Sequence, residues 1–107
     1  MDLMNEASNQ KYGDAFTYKQ AYASTGTKTP VLTPATKNGV SLTLSGTYNA
    51  DIEITMSSQS DIEAGSAVWV AHLSGQTTNG LVVHLPHSQA FRIKVNSGAP
   101  TLTAYAS

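Results

Sequence analysis

The sequence predicts an all-β fold, a single antiparallel β-sandwich of about seven to eight strands, and two observations lead to this prediction. Apolar and polar residues alternate with a period of two in several short segments, which is the pattern of strands buried on one face. These segments recur every ~10–12 residues, separated by turn-forming residues, as in sandwiches and small barrels. Jelly-roll and immunoglobulin-like strand orders both fit this number of strands.

The chain length sets the domain organisation. At 107 residues without cysteine, the chain is expected to form one domain with a modest core and no disulfide. Residues 1–14 are polar and aperiodic, so we interpret them as an extended N-terminal arm, and residues 15–107 as the sandwich domain. The arm carries acids and lacks an apolar centre, so we do not expect it to be a signal peptide.

The first strand is expected in the stretch AFTYKQAY. It places Phe16, Tyr18 and Tyr22 on one face and the residues between them on the other. The following Ser24–Gly39 contains two prolines and two glycines, and proline cannot donate to a sheet ladder. This stretch is therefore predicted to be loop or edge strand.

The middle of the chain shows the clearest alternation. Apolar residues occupy every second position in Val40–Leu44 and again in Ile52–Met56, and each run predicts a half-buried strand. Tyr-Asn-Ala between them is interpreted as a tight connection. Ser57–Ser66 is polar and is predicted to be a loop.

The last third predicts two hairpins. Ala67–Leu73 is apolar on both faces and is expected to lie centrally in a sheet, paired with Leu81–Leu85 across a turn that ends in Asn79-Gly80. Asn-Gly is a strong hairpin signal because both residues tolerate positive φ. FRIKV and LTAYA then alternate around Ser-Gly-Ala-Pro and predict a second hairpin.

The charge of the chain excludes some classes of partner. Its net charge is −1, and only 12% of its residues are charged, so we expect neither nucleic-acid nor membrane binding. Serine and threonine make up roughly a quarter of the chain, and threonine suits a pleated surface. Such a domain is strand-rich or is covered by neighbours, and we expect both.

The histidines are the first candidates for chemistry. His84 and His87 stand in HLPH, and His72 could approach His84 if the first predicted hairpin forms. A zinc site usually needs three or four protein ligands, and the sequence places no carboxylate or thiol beside them. We therefore interpret them as surface histidines and expect no metal or other cofactor.

Acid pairs and nucleophiles give no active site. Asp51 and Glu53 share one side of a strand, as would Asp61 and Glu63 in an extended loop. Such pairs form the solvent face of an amphipathic strand more often than a glycosidase cleft, which needs carboxylates facing each other. The chain contains no G-x-S-x-G motif and no phosphate-binding loop, so we expect that it is not an enzyme.

Aromatic residues are the candidates for partner binding. Trp69 lies among valines and alanines and is expected in the core. Tyr12, Phe16, Tyr18 and Tyr22 cluster early in the chain, where they could contact a partner, pack in the core or line a carbohydrate platform. Interfaces favour tyrosine for its large contact area, so these four are the predicted partner-binding residues.

A resemblance to a known family covers about Gly46 to Tyr105. The motifs GTYNADIEITMSSQ, the tryptophan in SAVWV, GLVVHLP and FRIKVNSGAPTLTAY resemble a small β-sandwich of structural proteins in tailed-bacteriophage virions. A free-standing version is most similar to a capsid decoration, or cementing, protein. Residues 1–45 do not contribute to this likeness.

The resemblance implies a non-enzymatic function. A decoration protein is made in the host cytoplasm, binds the major capsid protein on the outside of the head and bridges neighbouring subunits. It also implies contact with copies of the chain itself, for example in a homotrimer, and an N-terminal arm that reaches neighbours. Two alternatives stay open: a neck, tail or head-fibre module that contacts the host, and a carbohydrate-binding module. The second alternative needs an exposed, coplanar set among Tyr12, Tyr18, Tyr22, Tyr48 and Tyr105.

Overall fold

The computed structural model describes residues 16–33 and 39–106. In these residues nine strands form two packed antiparallel sheets, and one short helix lies between two of the strands in sequence. This architecture confirms the predicted all-β sandwich. The predicted arm, residues 1–14, lies outside the described residues. The elements are β1 (Phe16–Ala21), β2 (Gly26–Thr27), β3 (Val31–Leu32), β4 (Val40–Ser45), β5 (Tyr48–Thr55), α1 (Gln59–Ala64), β6 (Trp69–Gln76), β7 (Leu81–Leu85), β8 (Ala90–Gly98) and β9 (Thr101–Ala106).

The strand order is that of a jelly roll. The four-stranded sheet has the order β1-β9-β4-β7, and the five-stranded sheet has β2-β8-β5-β6, with β3 also paired to β8. If β2 and β3 are taken as one interrupted strand, the strands pair from the outside inwards: first with last, second with seventh, third with sixth, and fourth with fifth. This nesting of hairpins distinguishes the jelly roll from the immunoglobulin-like alternative.

The connections divide the sandwich into two ends. The links β1–β2, β4–β5, β6–β7 and β8–β9 all cross between the sheets at one end, the turn end. The other links, β3–β4, β5–β6 and β7–β8, lie at the opposite end, together with the first residue of β1. We call this the helix end, because α1 belongs to it.

The core lies between the inner faces of the two sheets. Alternation places every second residue of each strand inward, and Leu44, Ile52, Phe91 and Leu102 are each completely buried. Burying a side chain of this kind stabilises the fold by about 1.5–3 kcal/mol. The predicted inward face of the first strand is confirmed, since Phe16, Tyr18 and Tyr22 belong to this core.

Helix α1 corrects the prediction of a loop at Ser57–Ser66. The Ser58 side chain caps the helix by accepting a hydrogen bond from the Asp61 N–H at 3.2 Å, and Gly65 ends it with φ of +79°. One buried side chain, Ile62, packs against Leu32 and Ala90 on the outer face of the five-stranded sheet. A helix with a single apolar residue has no periodicity, so only its caps could have indicated it.

The predicted hairpin around Asn79-Gly80 is wrong. β6 pairs with β5 and β7 pairs with β4, so the turn joins two sheets. The turn is bound to the four-stranded sheet, because the Gly80 N–H donates to the Leu44 carbonyl and the Asn79 side chain accepts from the Gly46 N–H, both at 2.8 Å. An Asn-Gly pair reverses the chain but does not decide which strand lies beside the next one.

The expected central position of Ala67–Leu73 is also wrong. β6 is an edge strand, and Val68 and Val70 are 71% and 60% exposed. Apolar residues on both faces usually indicate a strand covered on both sides. Here the outer side is covered in part by α1, since Trp69 packs against the cluster around Ile62, and Val70 on the inner side stays exposed.

The two strands at the C-terminal end exist as predicted but do not form a hairpin. β8 and β9 lie in different sheets, joined at the turn end next to Gly98, which has φ of +82°. A Cβ on Gly98 would collide with the Thr47 carbonyl, so this position requires glycine. The predicted Tyr-Asn-Ala connection is likewise the beginning of β5, because the chain turns earlier, at Gly46.

Candidate functional surfaces

The predicted partner-binding aromatics lie mostly in the core. Phe16, Tyr18 and Tyr22 are only 4–7% exposed, and Tyr12 lies outside the described residues. Their part in partner binding stays a prediction. In the described chain their rings form the inner face of the edge strand β1 and do not present a surface.

Burial also sets the ionisation of the tyrosines. Removal from water raises the pKa of Tyr18 to about 12, and it raises the pKa of Tyr22, where the neighbouring Tyr18 adds to the effect. Tyr48 is buried as well, and its hydroxyl donates to the Thr78 carbonyl at 2.6 Å. Of the tyrosines that the structure describes, Tyr105 alone is exposed, so they form no coplanar carbohydrate platform.

The histidines lie on separate parts of the sandwich. His72 belongs to the edge strand β6, whereas His84 points outward from β7 in the other sheet, because the hairpin that would join them does not form. The His84 Nδ1 lies 2.6 Å from the Ser41 Oγ. A Ser–His pair is not a triad, which also needs an orienting acid. Over residues 16–33 and 39–106, no three His, Cys, Asp or Glu side chains could hold a metal ion together.

The acid pairs have structural partners. Asp51 and Glu53 point to the same outer side of β5, as predicted, and the Asp51 carboxylate accepts from the Gly75 N–H at 2.8 Å. Asp61 and Glu63 belong to α1, so the expectation that they share a side in an extended loop is wrong. Among residues 16–33 and 39–106, no group of three His, Cys, Asp or Glu side chains gathers around either pair.

The outer face of the five-stranded sheet contains an ion pair between two of its own side chains. The Arg92 Nε donates to Glu53 at 2.6 Å, and the Arg92 guanidinium lies 4.2 Å from the centre of the Trp69 ring. Trp69 is half-buried, packed against the cluster around Ile62 and not in the main core, which corrects its expected place. Cation–π contact and ion pairing both hold Arg92 flat on this face.

The outer face of the four-stranded sheet is different, since it carries hydroxyls and little charge. Cross-strand pairing places one row of side chains across β1, β9, β4 and β7, with a second row beside it. Of the described residues on this face, Lys19 is the only Lys, Arg, Asp or Glu. We call it the hydroxyl face. Its members are Thr17, Lys19, Ala21, Ser41, Thr43, Ser45, Val82, His84, Thr101, Thr103 and Tyr105.

Two apolar residues interrupt the hydroxyls of this face. Val82 is 64% exposed and Tyr105 is 49% exposed. Both lie in regular strands, without a register shift in any pair of this sheet. A face that exposes apolar groups and almost no charge has the composition of an interface core.

A second apolar surface lies at the helix end. Met56, Val68 and Val70 are the other large apolar side chains that the described chain exposes strongly, at 68%, 71% and 60%. Met56 also lines a concavity of about 330 Å³, next to Thr33 and Ser88. Val68 and Val70 do not line this concavity, but the Val68 backbone binds the side chains of Thr55 and Ser57, the two neighbours of Met56 in the chain. We call Thr33, Met56, Val68, Val70 and Ser88 together the end groove. Sequence reasoning missed it, although the apolar residues on both faces of Ala67–Leu73 were a signal that this segment needed a cover on each side.

Two comparisons with known sequences found no match. No protein-family model matches the chain, and no curated protein is significantly similar to it. Within the described part of the chain, no helix has the length and hydropathy needed to cross a membrane.

Proposed function

We propose that this protein is a non-enzymatic structural component of a tailed-phage virion, which binds the outer surface of the capsid and stabilises the head by bridging neighbouring subunits. Its partners in this proposal are the major capsid protein and further copies of the chain, for example in a homotrimer. The observation that carries the proposal is the hydroxyl face. The jelly-roll strand order, an architecture used by viral capsid domains, and the resemblance over residues 46–105 support the virion setting.

The hydroxyl face suits adhesion to protein for two reasons. Short Ser and Thr side chains lose less rotamer freedom at an interface than long charged ones, each of which loses up to about 2 kcal/mol. Covering a hydroxyl also costs less than covering a charge, because a partner can satisfy it with one hydrogen bond. The exposed Val82 and Tyr105 add apolar contact, and Tyr is one of the residues enriched at interfaces.

The size of the face favours a repeating partner. Four strands about 4.8 Å apart and five or six residues long cover about 19 Å by 20 Å, or roughly 400 Å². This footprint is smaller than the ~800 Å² per partner of a standard stable interface, so one copy would bind weakly through this face alone. On a capsid lattice, linked copies bind together, and their combined affinity exceeds that of each contact.

The number of copies per particle tests the proposal. Quantitative mass spectrometry of purified virions of the phage that encodes the chain should find it at a level comparable with the major capsid protein. A count that fits a single ring or a few fibres would instead favour the neck, tail or head-fibre alternative. Absence of the chain from intact virions would contradict a structural role in the particle.

A further inference from the structure

The end groove exposes part of the core. Ile54 pairs with Val70 and points inward. Met56 and Val68 lie just beyond the ends of β5 and β6, where the Val68 backbone binds the side chains of Thr55 and Ser57 on either side of Met56. Because three large apolar side chains here are more than half exposed, the patch has the character of a binding surface.

Two buried hydroxyls beside the patch have no hydrogen-bond partner. The Thr33 Oγ1 and the Ser88 Oγ are both inaccessible and unpaired in the described chain, and their residues are only 7% and 8% exposed. Buried hydroxyls are nearly always satisfied by a partner. Since a hydroxyl both donates and accepts, the N–H and C=O groups of a polypeptide backbone would complement this pair.

The groove therefore fits a peptide with apolar side chains, and the chain contains one that starts at the same end. β1 begins at the helix end, on the edge of the sandwich opposite to β6. Three strand spacings of about 4.8 Å and a sheet spacing of about 10 Å put these edges about 17 Å apart. Residues 1–15 span up to about 50 Å when extended, so they can cross this distance with residues to spare.

We propose that the end groove binds the N-terminal segment, residues 1–15, of this chain. Met1, Leu3 and Met4 are the apolar side chains of its first part, and they cover Met56, Val68 and Val70. Backbone groups of the segment complete the hydrogen bonds of the two buried hydroxyls. This inference concerns the purified protein and does not depend on the capsid proposal.

Methyl NMR on the full chain tests the contact. The double substitution Leu3→Asp and Met4→Asp should move the methyl signals of Met56, Val68 and Val70. The matched variant Gln10→Asp, which also adds a negative charge to the segment, should leave them in place. Val82 on the hydroxyl face is the internal reference. Unchanged Val68 and Val70 signals in the double variant would overturn the proposal.

Proteolysis tests the same contact from the groove side. Trypsin cleaves after Lys11, and a bound segment is protected in proportion to the time it spends bound. Val68→Thr with Val70→Thr keeps the side-chain shape and strand propensity while removing the apolar surface, so cleavage after Lys11 should accelerate on the order of tenfold. The control substitution Val82→Thr on the hydroxyl face should not change the rate of cleavage. Equal rates in both variants would contradict the proposal.

The concentration dependence of cleavage separates two arrangements. Protection that does not change with protein concentration means that each chain binds its own segment, and protection that rises with concentration means exchange of segments between copies. A chain lacking residues 1–15 tests the remaining alternative, in which a second copy of the sandwich covers the groove. If that shortened chain still self-associates through Val68 and Val70, a second copy of the sandwich covers the groove, and the proposed occupant is wrong.

Discussion

The two outer faces of this sandwich are built on the same kind of sheet but treat their polar groups differently. On the five-stranded face, Glu53 and Arg92 bind each other at 2.6 Å and Ile62 of α1 covers one part of the surface. On the four-stranded face, hydroxyls surround Val82 and Tyr105, and nothing in the described chain covers them. Side chains that bind each other on the five-stranded face stabilise the fold, whereas the exposed side chains of the four-stranded face are available to a partner. Mutations on the five-stranded face should therefore change stability, and mutations on the four-stranded face should change binding.

The largest expected difference concerns the cover of the five-stranded face. Ile62→Ala removes a side chain that is 1% exposed and should lower the free energy of unfolding by about 2–4 kcal/mol, through lost burial and the cavity left behind. Val82→Ala on the hydroxyl face should change it by less than about 0.5 kcal/mol. Urea unfolding measures both. Equal effects would mean that the two faces are equally important for folding.

The ion pair provides the next comparison. Arg92→Leu leaves the Glu53 carboxylate, whose side chain is 19% exposed, without its partner and removes the contact with Trp69. We expect a loss of about 1–3 kcal/mol in the free energy of unfolding. Lys19→Leu on the hydroxyl face should cost less than about 0.5 kcal/mol. If thermal unfolding shows no difference between the two variants, the pair contributes no net stability.

Alkaline pH tests the inner face of β1. Burial raises the pKa of Tyr18 to about 12 and also raises the pKa of Tyr22, whereas tyrosine in the unfolded chain ionises near pH 10. Between these values the unfolded chain has lost protons that the folded chain keeps. Stability is therefore complete below about pH 10 and falls above it, by at most about 1.4 kcal/mol per pH unit for each tyrosine.

The variant Tyr22→Phe isolates one of these contributions. It should reduce the alkaline loss of stability, while the free energy of unfolding at neutral pH stays equal or rises, because the Tyr22 hydroxyl has no hydrogen-bond partner. Denaturant unfolding at a series of pH values measures the slope. A slope identical to that of the unmutated chain would show that Tyr22 ionises normally in the folded state.

The smallest effect is expected at Ser41 and His84. Their hydrogen bond is exposed, so Ser41→Ala should change the free energy of unfolding by less than about 0.5 kcal/mol. Urea unfolding of the two forms measures this difference. A loss of stability well beyond this limit would place the pair among the groups that hold the sheet together.

Alternation in the sequence predicted the strands but not their neighbours. The period of two in Val40–Leu44 and around Phe91 reports which side of a strand is buried, and this was correct. It contains no information on which sheet a strand joins, and the jelly roll sends the chain across the sandwich at nearly every turn. Both predicted hairpins, at Asn79-Gly80 and before Thr101, failed for this reason.

The candidate surfaces were predictable only in part. The shared face of Phe16, Tyr18 and Tyr22 was predicted correctly. These side chains are buried and so form no exposed carbohydrate platform. Their burial depends on the opposing sheet, which the local sequence does not reveal. The hydroxyl face could have been found by following the outward positions of β1, β4 and β9 together, since each of these strands contributes Ser or Thr. The end groove brings together residues that follow β3 and β5 and precede β6 and β8, and no local pattern encodes that proximity.

Capsid binding by two matched variants tests most directly whether the hydroxyl face is the adhesive one. Thr103→Glu on this face places a carboxylate opposite Lys19, and Thr27→Glu on the other face places one opposite Lys94, both at exposed positions. Each variant forms an opposite-charge cross-strand pair, so both should fold with a stability within about 1 kcal/mol of the unmutated chain. In co-sedimentation with capsids that lack the protein, Thr27→Glu should bind like the unmutated chain and Thr103→Glu should not bind. Equal binding by the two variants would contradict the proposed role of the hydroxyl face.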